Sequence, residues 1–171
     1  MKKFTHLHVH TEYSIQDGAS RIKDIVKKAK ENGMEAVAIT DHGNMFGTTN
    51  FYKACKEKDI KPIIGCEVYS ESIDKKQDAN HLVLLAKNDI GYRNLSKLVT
   101  WAYDNFYNKP QVTWENLRKY NEGIICLSAC IGGEIAQSLI NNDYEKAKKV
   151  ANEFKSIFKD DFYLEIQRHN I

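Results

Sequence analysis

Histidines and acidic residues recur along this chain at places where apolar runs stop. His6, His8 and His10 alternate inside the opening stretch THLHVH. If residues 5–9 form a strand, as that alternation implies, the three imidazoles share one face. Asp41 and His42 follow the run AVAIT, and Glu67 lies late in the run PIIGCEVY. His81 opens LVLLA, Cys130 follows IICLSA, and His169 follows FYLEIQ. Imidazole nitrogen and carboxylate oxygen suit zinc, manganese and iron. Two or more such ions a few Å apart grip a phosphate, activate water and stabilise a leaving oxygen. Glu67 carries the strongest signal, because a carboxylate inside an apolar run needs a partner or a cation. Asp41 can instead be a turn or cap residue, His6 starts its strand rather than ending it, and His169 can simply be solvated.

Those residues need elements to place them. Residues 5–9 read as a strand, followed by a turn-rich stretch at 14–20. Ser20 can cap a helix reaching about residue 32, with Ile22, Ile25, Val26 and Ala29 on one face. Gly33 stops it. Further strands are expected at 35–40, 62–69, 81–86, 123–128 and 162–167. Helices are expected at 46–58, 90–105, 114–120 (capped by Thr113), 133–141 and 144–158. Residues 70–80 are polar and lysine-rich and read as an exposed loop. Alternating strands and helices predict an α/β fold, either a mainly parallel sheet or a (β/α) barrel. In both, functional groups collect at the C-terminal ends of the strands.

The bulk properties narrow the classes. The chain has 171 residues, 42% hydrophobic and 28% charged, and fits a single domain. Its net charge is +2, from 25 basic and 23 acidic residues. That is far from the basic excess of an autonomous nucleic-acid binder, so affinity for such a ligand must come from metals or another chain. The apolar run at 82–86 falls well short of the ~18 residues of a membrane span, so no membrane association is expected. Lys2 and Lys3 precede no apolar leader, which points to a cytoplasmic protein. The four cysteines form no CxxC pair, and reduced thiols are expected.

Taken together, the motifs resemble the polymerase and histidinol phosphatase (PHP) domain. HLHVHTEYSIQDG (6–18) is similar to its opening motif, in the form seen in the alpha subunit of bacterial replicative DNA polymerases. VAITDHGNMFG (37–47) resembles the second motif, and GCEVY (65–69) carries the family's glutamate. NHLVLLAKN (80–88), GYRNLSKL (91–98), LSACIGGEI (127–135) and FYLEIQRH (162–169) extend the resemblance along the chain. It implies a seven-stranded-type (β/α) barrel, of which about six strands are counted here. It also implies metal ligands at His8, His10, Asp17, His42, Glu67, His81 and Cys130. Asp41 is then expected to orient a ligand or shape the turn, and His6 to be a neighbour. For Cys130 a small buried thiol is the alternative. The expected cofactors are divalent zinc, manganese or iron, up to three ions in an intact domain.

One departure stands out. The family's last motif is Asp–x–His, and no Asp–x–His occurs in this chain. The resemblance therefore implies a truncated N-terminal piece of a polymerase alpha subunit, with two ligands missing and weak or absent activity alone. The implied function is metal-dependent phosphoester hydrolysis of the 3′–5′ exonuclease type, with His10, His42, Glu67 and Arg168 in the catalytic set. Arg168 is included because a guanidinium recognises phosphate bidentately, a surface ion pair being the alternative. The implied partners are the rest of the alpha subunit, a DNA 3′ end and a proofreading exonuclease subunit. Two other readings compete: a structural and docking module within the polymerase, and a free-standing phosphomonoesterase.

Overall fold

The computed structural model describes residues 4–75, 79–106 and 108–168. Lys2, Lys3, His169 and part of the expected polar loop lie outside the described residues. The helices are α1 (Ile22–Glu31), α2 (Thr48–Glu57), α3 (Asp89–Asp104), α4 (Trp114–Lys119), α5 (Glu134–Ile140) and α6 (Tyr144–Phe158). The strands are β1 (Ala36–Ile39), β2 (Lys61–Ser70), β3 (Asn80–Ala86), β4 (Gln111–Val112), β5 (Ile124–Leu127) and β6 (Phe162–Tyr163). Caps fix several helix starts. The Asn88 side chain accepts from Gly91 N–H, Thr113 from Asn116 N–H, and Asp143 from Lys146 N–H.

The strands form one sheet in the order β1-β2-β3-β5-β6, with β4 against the far end of β2. An α/β fold was expected and is found, but the sheet is mixed rather than mainly parallel. β1 and β4 run parallel to β2, while β3 runs antiparallel to both β2 and β5. The short link from β2 to β3 holds no helix, and a parallel return needs a crossover of a dozen or more residues.

Strand parity then divides the side chains. Glu67, Val83 and Leu127 are directly paired and share a face. Cys66, Leu84 and Cys126 share the opposite face and pack on the helices, in a core that includes Leu95, Leu98, Leu117, Val150 and Phe154. Each large apolar side chain buried there contributes about 1.5–3 kcal/mol relative to exposure. A second core joins α1 and α2 to β1 through Val26, Val37, Ile39 and Phe51. The inner face holds a smaller cluster of Ala38, Val83, Leu85, Leu127 and Ala129. A register slip of one residue would exchange the two faces and replace Glu67 with a thiol or an aliphatic group.

Two expected strands are only partly regular. Residues 5–9 run beside β1 without forming a ladder. Ala38 N–H donates to His6 O and Thr40 N–H to Val9 O, both at 2.9 Å. Three steps along one segment therefore match two along the other, which breaks the alternation. The Thr40 hydroxyl accepts from Val9 N–H at 2.8 Å and covers the mismatch. At the other end β6 has two residues rather than the expected six. Its neighbour β5 ends because Ala129 adopts φ 63° and turns the chain away. The Ser128 hydroxyl then accepts from Glu165 N–H at 2.9 Å in place of a backbone group.

Candidate metal centre

The turn after residue 10 is built on Asp41, which is 1% exposed. Thr11 donates to it through N–H (2.6 Å) and hydroxyl (2.8 Å), and the Ser14 hydroxyl donates at 3.0 Å. Asp41 thus shapes the turn, as one of its two readings had it. A Cβ at Gly18 would lie 1.8 Å from Thr11 O, so only glycine lets the turn close and present Asp17.

The hydrogen bonds also set the imidazole tautomers. Ser14 gives its proton to Asp41, so the contact at 3.1 Å to His10 Nδ1 requires the proton on the ring. Glu165 Oε1 lies 2.8 Å from His8 Nδ1 and takes that proton. Both histidines therefore turn an Nε2 lone pair inward. The two Nε2 atoms are 3.2 Å apart, 2.5 Å (His8) and 3.6 Å (His10) from Glu67 Oε2. Fixing the outer ring nitrogen with a carboxylate or hydroxyl is how proteins aim an imidazole at a metal.

Glu67 is the hub. It pairs with His42 across a parallel bridge, where Gly43 N–H donates to Glu67 O and Glu67 N–H to Asp41 O. Its Oε1 lies 2.7 Å from His42 Nδ1 and 2.8 Å from His81 Nδ1. The side chain is 1% exposed, yet neither oxygen has a well-aligned hydrogen bond among the described residues. Ligand atoms of His8, His10 and Glu67 lie within 4.8 Å of one another, as do those of His42, Glu67 and His81. Buried, unaligned carboxylate oxygens among imidazole lone pairs fit divalent cations of the N/O-preferring kind.

The electrostatics follow from this crowding. Burial alone would raise the Glu67 carboxyl, but His10, His42, His8 and His81 together hold it well below the usual carboxylate range. Burial lowers His8, but Glu165 and Glu67 overcome it and lift the ring to about 10. Cys130 and then Glu67 raise His81 to about 9. His42 is raised, chiefly by Glu67. His81 in turn lowers the Cys130 thiol, whose sulfur lies 3.5 Å from His81 Nδ1.

The site sits at the C-terminal ends of β1, β2, β5 and β6, as expected for strand ends. His81 departs from that rule. It opens β3, and only the antiparallel direction of β3 brings its first residue to this end. Asp17 reaches the site through His42 Nε2 at 3.0 Å. His6 does not join it; the ring is exposed and meets Phe4 edge-on at 4.9 Å. Arg168 is exposed, makes no hydrogen bond or ion pair with the cluster, and lines a broad cleft of about 1510 Å³ between residues 4–8 and 163–168. Glu165 was missed from sequence. Its only signal was an acidic residue in the alternating stretch FYLEIQ, which the two-residue β6 makes hard to place.

With the site described, the comparisons define its class. The chain matches the PHP domain over residues 6–169 and belongs to that family. The curated relatives it resembles are replication proteins. It is 50% identical over 178 residues to DNA polymerase III subunit alpha of Borreliella burgdorferi, covering 99% of this chain and 16% of that protein. It is 47% identical over 186 residues to the same subunit of Helicobacter pylori, covering 99% and 15%. The chain thus spans about one sixth of the length of these relatives. Among solved structures its fold is similar to an amidohydrolase from Chromobacterium violaceum, at TM-score 0.54 and 13% identity, covering 94% of this chain and 84% of that one. No described helix is long and apolar enough to cross a membrane.

Proposed function

We propose that this PHP domain binds divalent transition-metal ions and hydrolyses phosphoesters at a DNA 3′ end, as part of a replicative polymerase alpha subunit. The observation that carries the reading is Glu67, a buried carboxylate without aligned hydrogen bonds among four imidazoles. His8, His10 and Glu67 would hold one ion. His42, Glu67 and His81 would hold another, with Asp17 and Cys130 beside them. Ions bound there supply Lewis-acid polarisation of a phosphoester and of water.

The chain's own residues prepare that chemistry. Glu165 and Ser14 keep protons on the outer nitrogens of His8 and His10, which leaves the inner lone pairs free. Asp41 locks the turn that carries both supports. His42 stacks on His10 at 4.1 Å, so the imidazoles brace one another. Arg168 lies apart from this cluster and would meet phosphate only from the cleft side.

A second reading has one specific support. The contact between His8 and Glu165 ties the start of the described chain to its end. A metal-bound cluster there would act as a structural clasp, within a module that docks other polymerase parts or a proofreading subunit. Elemental analysis, followed by assays on 3′-labelled DNA and a chromogenic phosphomonoester with manganese, zinc and magnesium, separates the readings. Bound metal with release of 3′ nucleotides supports hydrolysis. Bound metal without turnover of either substrate supports the clasp, and absence of metal sinks both.

A further inference from the structure

Beyond Glu67, β2 carries Tyr69 on the same inner face. Its ring meets His81 edge-on at 5.4 Å and lies nearly parallel to His42, at 6.2 Å and 11°. Tyr69 is thus a wall of the candidate centre. The turn after His42 closes on it because Gly43 has φ +62°. A Cβ there would lie 3.3 Å from Pro110 Cγ and 3.4 Å from Tyr69 Cε2. β4 pairs Gln111 with Tyr69, which fixes the chain just before it. Lys109 is carried by that stretch, and its Nζ sits 4.5 Å from the centroid of the Tyr69 ring. Lys109 is exposed and forms no salt bridge among the described residues, so its charge is available.

The same stretch begins with an aromatic pair. Tyr103 in the last turn of α3 and Phe106 just beyond it are 45% and 55% exposed and stack at 6.4 Å and 21°. Tyr103 is near enough to Tyr69 to contribute to raising its phenol pKa, after burial, Glu67, Asp17 and Cys66. A cation one ring away from the imidazoles and an exposed aromatic pair beside it are the two features that a single strand of nucleic acid requires. The ammonium meets a backbone phosphate, and aromatic faces stack bases whatever their sequence.

We propose that Lys109 on Tyr69, with the Tyr103–Phe106 pair, forms a subsite for single-stranded DNA adjoining the reacting phosphate. This rests on the phosphoesterase reading above. The cluster itself can engage one phosphate and has no means to tell a strand from a small monoester; the adjoining cation and aromatics supply that distinction. They also place local positive charge in a domain whose net charge is only +2.

The test measures binding of a short 5′-labelled oligothymidylate to the whole chain with manganese, by fluorescence anisotropy over a range of salt concentrations. Lys109→Ala should weaken binding roughly tenfold and reduce the salt slope by about one, as loss of one phosphate contact does. Phe106→Ala should weaken binding roughly tenfold with the salt slope unchanged. Lys109→Arg should restore most of the affinity, and Lys149→Ala, on the far helix α6, should behave as wild type. Metal content and circular dichroism confirm that the variants are folded and loaded. If wild type binds and trims the strand while Lys109→Ala and Phe106→Ala match Lys149→Ala, the subsite is overturned and the phosphoesterase reading stands. If wild type holds no metal and neither binds nor trims the strand, both fall together.

Discussion

Glu165 accepts a hydrogen bond from His8 Nδ1 at 2.8 Å, across 157 positions of sequence. One carboxylate near the end of the described chain thereby sets the tautomer of an imidazole near its beginning. Supports of this kind typically change metal affinity 10–100-fold when removed. Glu165→Ala should weaken metal binding by about that factor, in a competition titration with a chelating dye. Glu165→Gln keeps an acceptor and should lose less. Equal affinity in wild type and both variants would rule out the support.

Glu67 belongs to both three-residue groups. Glu67→Ala should therefore remove all tightly bound metal, whereas His81→Ala should spare the ion held by His8 and His10. Elemental analysis of the purified variants checks this. Retention of a full complement by Glu67→Ala would contradict a shared ligand.

The metal-free domain should have a distinctive pH profile. His8 rises from 6.5 to about 10 and His81 from 6.5 to about 9 on folding. A raised pKa stabilises fully below 6.5, and that contribution fades as pH climbs through 9 to 10. Glu67 is lowered from 4.5, so its contribution holds above 4.5 and is lost in acid. With chelator present, Tm should peak between about 4.5 and 6.5 and fall towards pH 10. Metal affinity should run the other way, increasing with pH as protons leave the imidazoles. A chelated protein whose Tm is flat from pH 6 to 10 would refute the pairing of His8 with the two carboxylates.

Leu84 is fully buried on the outer face, away from the cluster. Leu84→Ala should cost about 2–5 kcal/mol of stability. Urea unfolding would register the loss, while metal stoichiometry at low temperature stays that of wild type. A parallel loss of metal would show that the two faces of the sheet are not independent.

How much of this was legible in the residues depended on how local each signal was. β1, β2 and β3 appear within a residue or two of their apolar runs, and α3 and α6 at their periodic stretches. The direction of β3 was not legible, because periodicity is the same for a strand run either way. The irregular pairing of residues 4–10 with β1 hides in the sequence too, since the alternation of His6, His8 and His10 looks unbroken. It explains why His8 and His10 converge while His6 faces elsewhere. Glu67 was readable because an acid in an apolar run is conspicuous. Glu165 was not, because its role depends on a partner at the opposite end of the chain.

Because Glu67 offers one oxygen to each group, occupancy of the two positions cannot be independent. A cation on Oε2 would withdraw charge from Oε1 and repel a second cation a few Å away, while also fixing the carboxylate for it. Whichever effect dominates, the coupling is reciprocal: each ion changes the other's affinity by the same factor. Loading of this domain should then proceed in two unequal steps. The weaker step would respond to ambient metal concentration in a range where the stronger is already saturated.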